Sequence, residues 1–237
     1  SQAARFVIFA LGLALAGSGV SHAQLRLDIT EGVRDAVPIA VAPFGGQAEG
    51  GANDIAAVVA GDLRLSGRFA PLDRKDMVAR PTTGSEIRFQ DWRLLKSDYI
   101  VVGRVVTERG VTSVAFELFN VQTGEALLAE TVPVPGQSMR AAAHRIADLV
   151  FERLTGIPGA FSTRIAYVSV EGTPPSRRYR LVVSDADGFN ARNVTESSEP
   201  IMSPAWSPDG QDIAYVSFET RTSAIYVQRL ATGERRR

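Results

Sequence analysis

The sequence predicts an α+β protein: a mixed α/β domain over residues 35–158, followed by an incomplete all-β propeller over residues 159–237. Two observations predict this division. Strand-like and helix-like hydrophobic periods alternate through the first region. The second region shows strand patterns alone, and one strand sequence recurs within it. A change from mixed to purely β patterning is typical of two successive domains.

The composition is that of a globular protein with a buried core. Hydrophobic residues make up 45% of the 237 residues, and charged residues make up 22%. The 26 basic residues balance the 26 acidic ones, so overall charge gives no reason to expect a nucleic acid or an anionic membrane as partner. The chain contains no cysteine, which excludes disulfide bonds, thiolate nucleophiles and cysteine-ligated zinc.

Residues 1–23 have the order of a secretory signal peptide. The cation Arg5 precedes an apolar run from Phe6 to Val20, and the triplet Ser21–Ala23 has small residues at both ends. The run is short for a helix that spans a bilayer, which needs about 20 apolar residues. The alternatives are a buried core helix and a membrane anchor. We expect export of the protein, with cleavage after Ala23.

Residues 24–34 begin with a short segment in which apolar and polar side chains alternate. The alternating residues are Leu25, Arg26, Leu27, Asp28, Ile29 and Thr30. This period of two predicts a strand with one apolar face, and Gly32 follows it as a breaker. An extended segment at a free N-terminus is suited to adding itself to the edge of a partner's sheet. The alternative is an ordinary edge strand that pairs within its own domain.

Residues 35–158 carry the helix and strand patterns of one α/β domain. We expect strands at Pro38–Pro43, Arg68–Leu72, Tyr99–Val106, Val111–Val121 and Ala126–Val132. We expect helices from an N-cap at Asn53 to Gly67, at Arg88–Leu95, and from an N-cap at Ser138 to Leu154. Short segments containing Gly110 and Gly124 separate the last three strands, which predicts two hairpin connections.

The third predicted helix carries the only histidine that follows the proposed cleavage site. Its apolar stripe consists of Ala142, Ile146, Leu149, Val150 and Leu154. His144 lies about 200° around the helix from Ile146, at about 100° per residue. We therefore expect His144 to face solvent.

Residues 159–237 contain an internal repeat made only of strands. The sequence Ile165–Ser169 is identical to Ile213–Ser217, and Arg180–Val183 resembles Ala224–Val227. A strand-only repeat of about 40–45 residues is typical of a β-propeller blade. The alternative is a small β-meander in which the similarity is accidental.

The link between the two repeats predicts a tight turn beside a packed aromatic residue. In Ser207–Gly210, Pro208 and Gly210 supply the backbone angles that a turn requires. We expect Trp206 to pack between neighbouring blades. A closed propeller needs at least four blades, or about 160 residues, and residues 159–237 supply about half of that. We therefore expect an incomplete propeller in which Arg235–Arg237 belongs to a turn and the start of a strand.

A search for catalytic motifs in the sequence predicts no catalytic residue, no cofactor and no metal. The chain has neither a Gly-x-Ser-x-Gly nucleophile elbow nor a Gly-x-x-x-x-Gly-Lys-Ser/Thr phosphate loop. A serine triad or a zinc site would have to use His144, which is predicted to be exposed. Asp185, Asp187 and Gly188 resemble part of a calcium loop, but the remaining ligand positions do not follow. We interpret them as a turn.

The order of several segments resembles the TolB family. These segments are QLRLDITEGV, PIAVAPF, DYIVVGRV, RIAYVS and PAWSPDGQDIAYVS, beginning at Gln24, Pro38, Asp98, Arg164 and Pro204. The resemblance covers essentially all of the chain after residue 23. It implies a fold with an N-terminal α/β domain and a six-bladed propeller, of which this chain contains the first blades.

The resemblance also implies a function as a periplasmic adaptor of the Tol–Pal system. TolB proteins bind the inner-membrane protein TolA through the extreme N-terminus of the mature chain, here Leu25 to Thr30. They bind the outer-membrane lipoprotein Pal through the propeller, most of whose binding face lies outside this sequence. The system maintains outer-membrane integrity and supports envelope constriction in cell division. No enzymatic activity, nucleic acid or direct membrane insertion is expected.

The sequence alone is also compatible with two other classes of protein. One is a periplasmic propeller-containing peptidase whose catalytic domain lies downstream of residue 237. The other is a binding module of another envelope system that uses similar blades. More blades downstream would favour the adaptor, and a Gly-x-Ser-x-Gly domain would favour the peptidase.

Overall fold

The computed structural model describes residues 36–237. The predicted signal peptide, the predicted strand of residues 24–34 and the proposed TolA-binding residues Leu25 to Thr30 lie outside the described residues. Among residues 36–237, no helix has both the length and the apolar character needed to cross a membrane.

The first half of this region is a five-stranded mixed sheet with three helices. The strands are β1 (Val37–Val41), β2 (Phe69–Pro71), β3 (Tyr99–Glu108), β4 (Val111–Asn120) and β5 (Ala126–Pro133), and the helices are α1 (Ile55–Leu65), α2 (Phe89–Leu94) and α3 (Met139–Thr155). The strand order is β2-β1-β3-β4-β5. β1 is parallel to both of its neighbours, whereas β3, β4 and β5 are antiparallel. The elements predicted from the sequence are thus confirmed, with small shifts at their ends.

The alternation of side chains along β1 explains why both faces of the sheet are covered. Ile39 and Val41 point into one core, which contains the apolar sides of α1 and α3. Ala40 and Ala42 point into a second core on the opposite face, built around Trp92 of α2. Successive side chains of a strand point to opposite faces, so a central strand between two helical layers is apolar throughout.

The N-cap of α1 is Asp54, so the prediction of Asn53 is wrong by one residue. The Asp54 carboxylate accepts hydrogen bonds from the N–H groups of Ala57 and Gly50, and it pairs with Arg74 at 2.7 Å. Burial by itself would raise the pKa of Asp54, but Arg74 and the two N–H donors outweigh burial and lower it. A carboxylate next to the positive end of a helix is more favourable than the neutral amide of Asn53.

The two ends of α3 agree with the sequence prediction. The Ser138 hydroxyl oxygen accepts a hydrogen bond from the Ala141 N–H at 3.2 Å. Gly156 ends the helix with φ of 72°, in the left-handed region where glycine is favoured. The predicted apolar stripe is also confirmed, since Ala142, Ile146 and Val150 are fully buried.

The second half of the described region consists of two antiparallel sheets. The first contains β6 (Arg164–Glu171), β7 (Arg178–Asp185) and β8 (Arg192–Ser197). The second contains β9 (Ile201–Trp206), β10 (Asp212–Ser217), β11 (Ala224–Arg229) and β12 (Arg235–Arg236). The predicted strand start at the terminal arginines is confirmed, because Arg235 and Arg236 pair with β11.

The sequence repeat corresponds to equivalent strands in these two sheets. Ile165–Ser169 lies in β6 and pairs with β7, and Ile213–Ser217 lies in β10 and pairs with β11. The repeated hairpins therefore belong to two separate, stacked sheets and not to a single meander. In the second sheet β9 precedes the hairpin, whereas the described part of the first sheet begins with β6.

The two sheets pack face to face around a shared apolar core. Leu181 and Val183 of β7 contact a cluster that includes Ile213 and Tyr215 of β10. Buried Gln228 of β11 connects the sheets: its side-chain oxygen accepts from the Tyr215 hydroxyl, and its amide donates to the Val194 carbonyl. This burial of one face of each sheet is the packing expected between neighbouring propeller blades.

Trp206 and the turn that follows it also agree with the prediction. The guanidinium carbon of Arg164, in the first sheet, lies 4.8 Å from the centre of the Trp206 ring, in the second. The Gly210 N–H donates to the Ser207 carbonyl at 2.9 Å, and Gly210 has φ of 65°. The link is therefore a tight turn that places Trp206 at the contact between the two sheets.

Candidate functional site

The connection between α3 and β6 is hydrogen-bonded back onto the helix. The Asp148 carboxylate accepts from the Phe161 N–H at 2.6 Å and the Ser162 N–H at 3.2 Å, and it also accepts from the Ser162 hydroxyl. Gly159 lies so close to the helix that a Cβ atom there would be 2.5 Å from the Asp148 Cα. This close approach fixes where the β region leaves the α/β domain.

We expect Gly159→Ala to lower the free energy of unfolding by about 1–3 kcal/mol, because the new methyl group overlaps α3 backbone. The control is Gly61→Ala in α1, where a Cβ atom meets nothing within 4 Å. That change replaces a helical glycine and is expected to stabilise the protein by about 0.5–1 kcal/mol. Urea unfolding followed by circular dichroism measures both. Equal stability of Gly159→Ala and the wild type would contradict the close approach.

Arg140 connects α3 to the turn between β7 and β8. Its buried guanidinium donates to the Ala52 carbonyl at 2.8 Å and forms an ion pair with the Asp187 carboxylate. The guanidinium carbon also lies 4.0 Å from the centre of the Phe189 ring. A single α3 side chain therefore contacts both the segment before α1 and the first sheet of the β region.

His144 is buried, so the prediction that it faces solvent is wrong. It is only 3% exposed, and its Nδ1 donates to Asp62 of α1 at 2.7 Å. The prediction fails because α3 is covered on two sides, by α1 with the sheet and by the β7–β8 turn. Angles around a helix identify the apolar side but do not reveal a second, polar contact surface.

The sequence does contain a signal for this polar surface. Arg140, His144 and Asp148 are spaced four residues apart, so they lie along one side of α3. All three side chains are buried and bonded to other elements. A polar row of this kind on a helix indicates a second packed face. Asp62 of α1, which is hydrogen-bonded to His144, has no comparable signal in the sequence.

The charges around His144 favour its protonated form. Burial by itself lowers the pKa of His144, but the hydrogen bond and the negative charge of Asp62 outweigh it and raise the pKa above 6.5. For Asp62, burial is the larger effect and raises the pKa above 3.8, against the opposing influence of His144. Both shifts have the same meaning: this buried pair binds protons more tightly than the two free side chains do.

Asp187 shows the opposite behaviour, and its segment forms the turn that the sequence predicts. The Gly188 N–H donates to the Asp185 carbonyl at 2.9 Å, and Gly188 has φ of 83°. Burial tends to raise the pKa of Asp187, but the Phe189 N–H and Arg140 outweigh it and lower the pKa below 3.8. Asp187 is therefore ionised over the whole neutral and mildly acidic range.

The Asp62–His144 pair is not arranged to activate a nucleophile. A serine hydrolase needs a hydroxyl hydrogen-bonded to the free nitrogen of such a histidine. His144 Nε2 is buried, and among residues 36–237 it has no hydrogen-bond partner. Three hydroxyls line the cavity beside His144: Ser138 caps α3, Ser162 donates to Asp148, and Thr163 donates to the Ala160 carbonyl. The cluster therefore holds elements together and lacks the geometry of acyl transfer.

Distance alone would allow a cation at this cluster, but its charges do not favour one. Ligand atoms of Asp62, His144 and Asp187 lie within 4.8 Å of one another. However, Asp187 is already paired with the Arg140 guanidinium, which cannot lose its proton and would repel a divalent ion. We therefore interpret the cluster as a set of ion pairs.

The outer faces of the two-sheet stack are exposed and apolar. In the first sheet, Ile165 and Tyr167 point away from the shared core and are both exposed. In the second, Ile225 is 65% exposed beside Val216 and Val227 on the face opposite that core. Contiguous apolar faces of this kind are typical of surfaces that another sheet or another protein covers.

A mixed α/β domain followed by stacked antiparallel sheets with repeated hairpins defines a class of protein, the β-propeller proteins with an N-terminal α/β domain. Residues 25–127 match the family of the TolB amino-terminal domain, and residues 151–237 match that of the TolB beta propeller domain. The chain belongs to the TolB family.

Curated relatives and a solved structure show the same similarity over most of the chain. The Tol-Pal system protein TolB of Methylococcus capsulatus is 46% identical over 235 residues, which are 99% of this chain and 54% of the relative. The protein of the same name from Xylella fastidiosa is also 46% identical, over 98% of this chain and 54% of its own length. The crystal structure of TolB from Acinetobacter baumannii superposes with a TM-score of 0.72 at 40% identity, covering 85% of this chain and 49% of that one. The chain thus spans about half the length of the relatives it matches.

Proposed function

We propose that the protein is a periplasmic adaptor of the Tol–Pal system and has no enzymatic activity. The observation that carries this proposal is the match of both halves of the chain to TolB domains, with relatives named as Tol-Pal system proteins. The cluster of Asp62, Arg140, His144 and Asp187, here called the junction cluster, agrees with a binding function, since among residues 36–237 His144 is bonded to a carboxylate and to no hydroxyl. The exposed apolar sheet faces supply surface for protein contacts.

The adaptor would bind two partners through different parts of the chain. After export and cleavage behind Ala23, the segment from Leu25 to Thr30 would be a free N-terminal strand that adds itself to the edge of a TolA sheet. Pal would bind the propeller, chiefly in the part that follows residue 237. Such links between the inner and outer membranes would maintain outer-membrane integrity and support envelope constriction during division.

The proposed TolA site can be tested on the two faces of its strand. In the full-length protein, Leu27→Asp places a charge on the apolar face and is expected to weaken TolA binding at least tenfold, since burying an unpaired charge costs more than about 1.4 kcal/mol. Arg26→Ser, on the polar face, is the matched control and is expected to change affinity less than threefold. Titration calorimetry with purified TolA measures both.

Pal binding provides the second control for this experiment. Both variants should bind Pal as the wild type does, because neither change lies in the propeller. Unchanged TolA affinity of Leu27→Asp would contradict the proposed site. Loss of Pal binding together with TolA binding would show that the variant is misfolded, and deletion of residues 24–34 would then test the segment without introducing a buried charge.

A further inference from the structure

Three elements meet at one group of charges, in which Asp62, Arg140 and His144 are buried and Asp187 lies at the solvent-exposed edge. α1 contributes Asp62, α3 contributes Arg140 and His144, and the turn between β7 and β8 contributes Asp187. Two ion pairs connect them: Asp62 with His144, and Arg140 with Asp187. The Arg140 guanidinium contacts both Asp187 and Phe189 of this turn, and so it holds the turn against the α/β domain.

We propose that the Arg140–Asp187 and Asp62–His144 pairs form a proton-sensitive latch, which fastens the β7–β8 turn to the α/β domain most tightly in mildly acidic solution and loosens above neutral pH. The latch is a property of the junction itself and does not depend on the identity of the partners. It would make the attachment of the first blade to the α/β domain respond to the pH of the compartment.

The balance of charge around His144 supports this role. Carboxylates outnumber cations among the groups that face His144 from the elements packed against it. These groups are Asp62 from α1, Arg140 from α3, Asp187 from the β7–β8 turn and Asp185 at the end of β7; Asp148 of α3 adds a further negative charge that acts on Asp62. An imidazolium at the centre offsets part of this negative charge. When it loses its proton, buried Asp62 is left without a cation, and its repulsion of Asp187 is no longer compensated.

The direction of the pH effect follows from the shifts of the two groups. The pKa of His144 is raised above 6.5, so its contribution is complete below pH 6.5 and is lost as the pH rises through the raised value. The pKa of Asp187 is lowered below 3.8, so the Arg140–Asp187 pair persists until the solution is strongly acidic. Because the pKa of Asp62 is raised as well, the lower pH limit of the closed latch is set by protonation of Asp62, and its upper limit by loss of the His144 proton above pH 6.5.

Protons can reach the latch from solvent. A cavity of about 110 Å³ lies beside His144 and is lined by polar side chains, among them Ser138, Ser162 and Asn190. A polar cavity of this size has room for water, which needs about 30 Å³ per molecule. His144 therefore titrates without unfolding of the junction.

Amide hydrogen exchange of the full-length protein tests the latch. The reporters are the N–H groups of Gly188 and Phe189, which donate to the Asp185 carbonyl and the Asp187 carboxylate within the latched turn. After correction for intrinsic exchange, we expect their protection to fall about tenfold between pH 6 and pH 8.5, as His144 loses its proton. The control is the Gly210 N–H, which lies in a similar turn but makes no contact with the α/β domain.

Two variants separate the latch from a general effect of pH. His144→Gln keeps a hydrogen-bond donor for Asp62 but cannot gain a charge, so protection at Gly188 and Phe189 should become independent of pH. Asp187→Asn should reduce their protection at every pH. A wild-type protein with pH-independent protection, or a His144→Gln variant that keeps the wild-type dependence, would overturn the proposal.

Titration of His144 by nuclear magnetic resonance keeps the test decisive if a variant does not fold. In the wild-type protein the imidazole signal should titrate above pH 6.5 and should move together with the amide signals of Gly188 and Phe189. Titration at or below pH 6.5, or turn amides that do not follow the imidazole, would overturn the latch.

Discussion

Replacement of Trp92 by alanine is expected to lower the free energy of unfolding by about 3–5 kcal/mol. Trp92 of α2 is fully buried and is the largest side chain in the core on the second face of the five-stranded sheet. Its neighbours there include Ile100 and Val102 of the central strand β3. Loss of the indole leaves a cavity that the surrounding packed side chains fill only partly.

The same helix supplies the control for this prediction. Leu94 lies two residues further along α2 and is 83% exposed. Leu94→Ala should therefore change stability by less than about 0.5 kcal/mol. Urea denaturation of both variants, followed by circular dichroism, measures the difference. A loss below about 1 kcal/mol for Trp92→Ala would show that α2 is not part of a packed core.

The second large effect is expected in limited proteolysis. A chain of residues 24–237 should be cleaved at least tenfold faster between residues 164 and 237 than the same region of the full-length protein. The outer faces of its two sheets carry exposed apolar side chains, including Tyr167 and Ile225, which further blades of a propeller would cover. Residues 36–158 have helices on both faces of their sheet and should be equally resistant in both proteins.

Mass spectrometry of the fragments at successive times measures the two regions separately. Faster cleavage confined to residues 164–237 would support the interpretation of the exposed faces as blade contacts. Equal resistance of this region in the short and the full-length protein would contradict it, because the two sheets would then be stable without any further cover.

The fold was largely predictable because the sequence is locally consistent. Strands such as β6 and β10 repeat the same side chains, and the repeat alone indicates two equivalent hairpins. Ser138 and Gly156 mark the ends of α3 by simple hydrogen bonding and backbone geometry. Where two neighbouring residues were both suitable caps, as at Asn53 and Asp54, the choice depended on Arg74, which is distant in sequence.

The junction cluster was not predictable for a related reason. Whether His144 is buried depends on Asp62, which is 82 residues away in sequence, and on Asp187, which lies in the β7–β8 turn of the β region. Helical periodicity reports the side of α3 that faces its own apolar core. It gives no information about a second surface formed by the β7–β8 turn, whose position depends on how the β region is attached at Gly159 and Asp148.

The proposal that one molecule connects TolA and Pal is tested by a three-component capture experiment. Immobilised TolA is incubated with Pal in the presence and absence of the full-length protein, and retained Pal is quantified. We predict that Pal is retained only when the protein is present and is lost when residues 24–34 are deleted. Retention of Pal without the protein, or failure to retain it when each pair binds separately, would contradict the adaptor function.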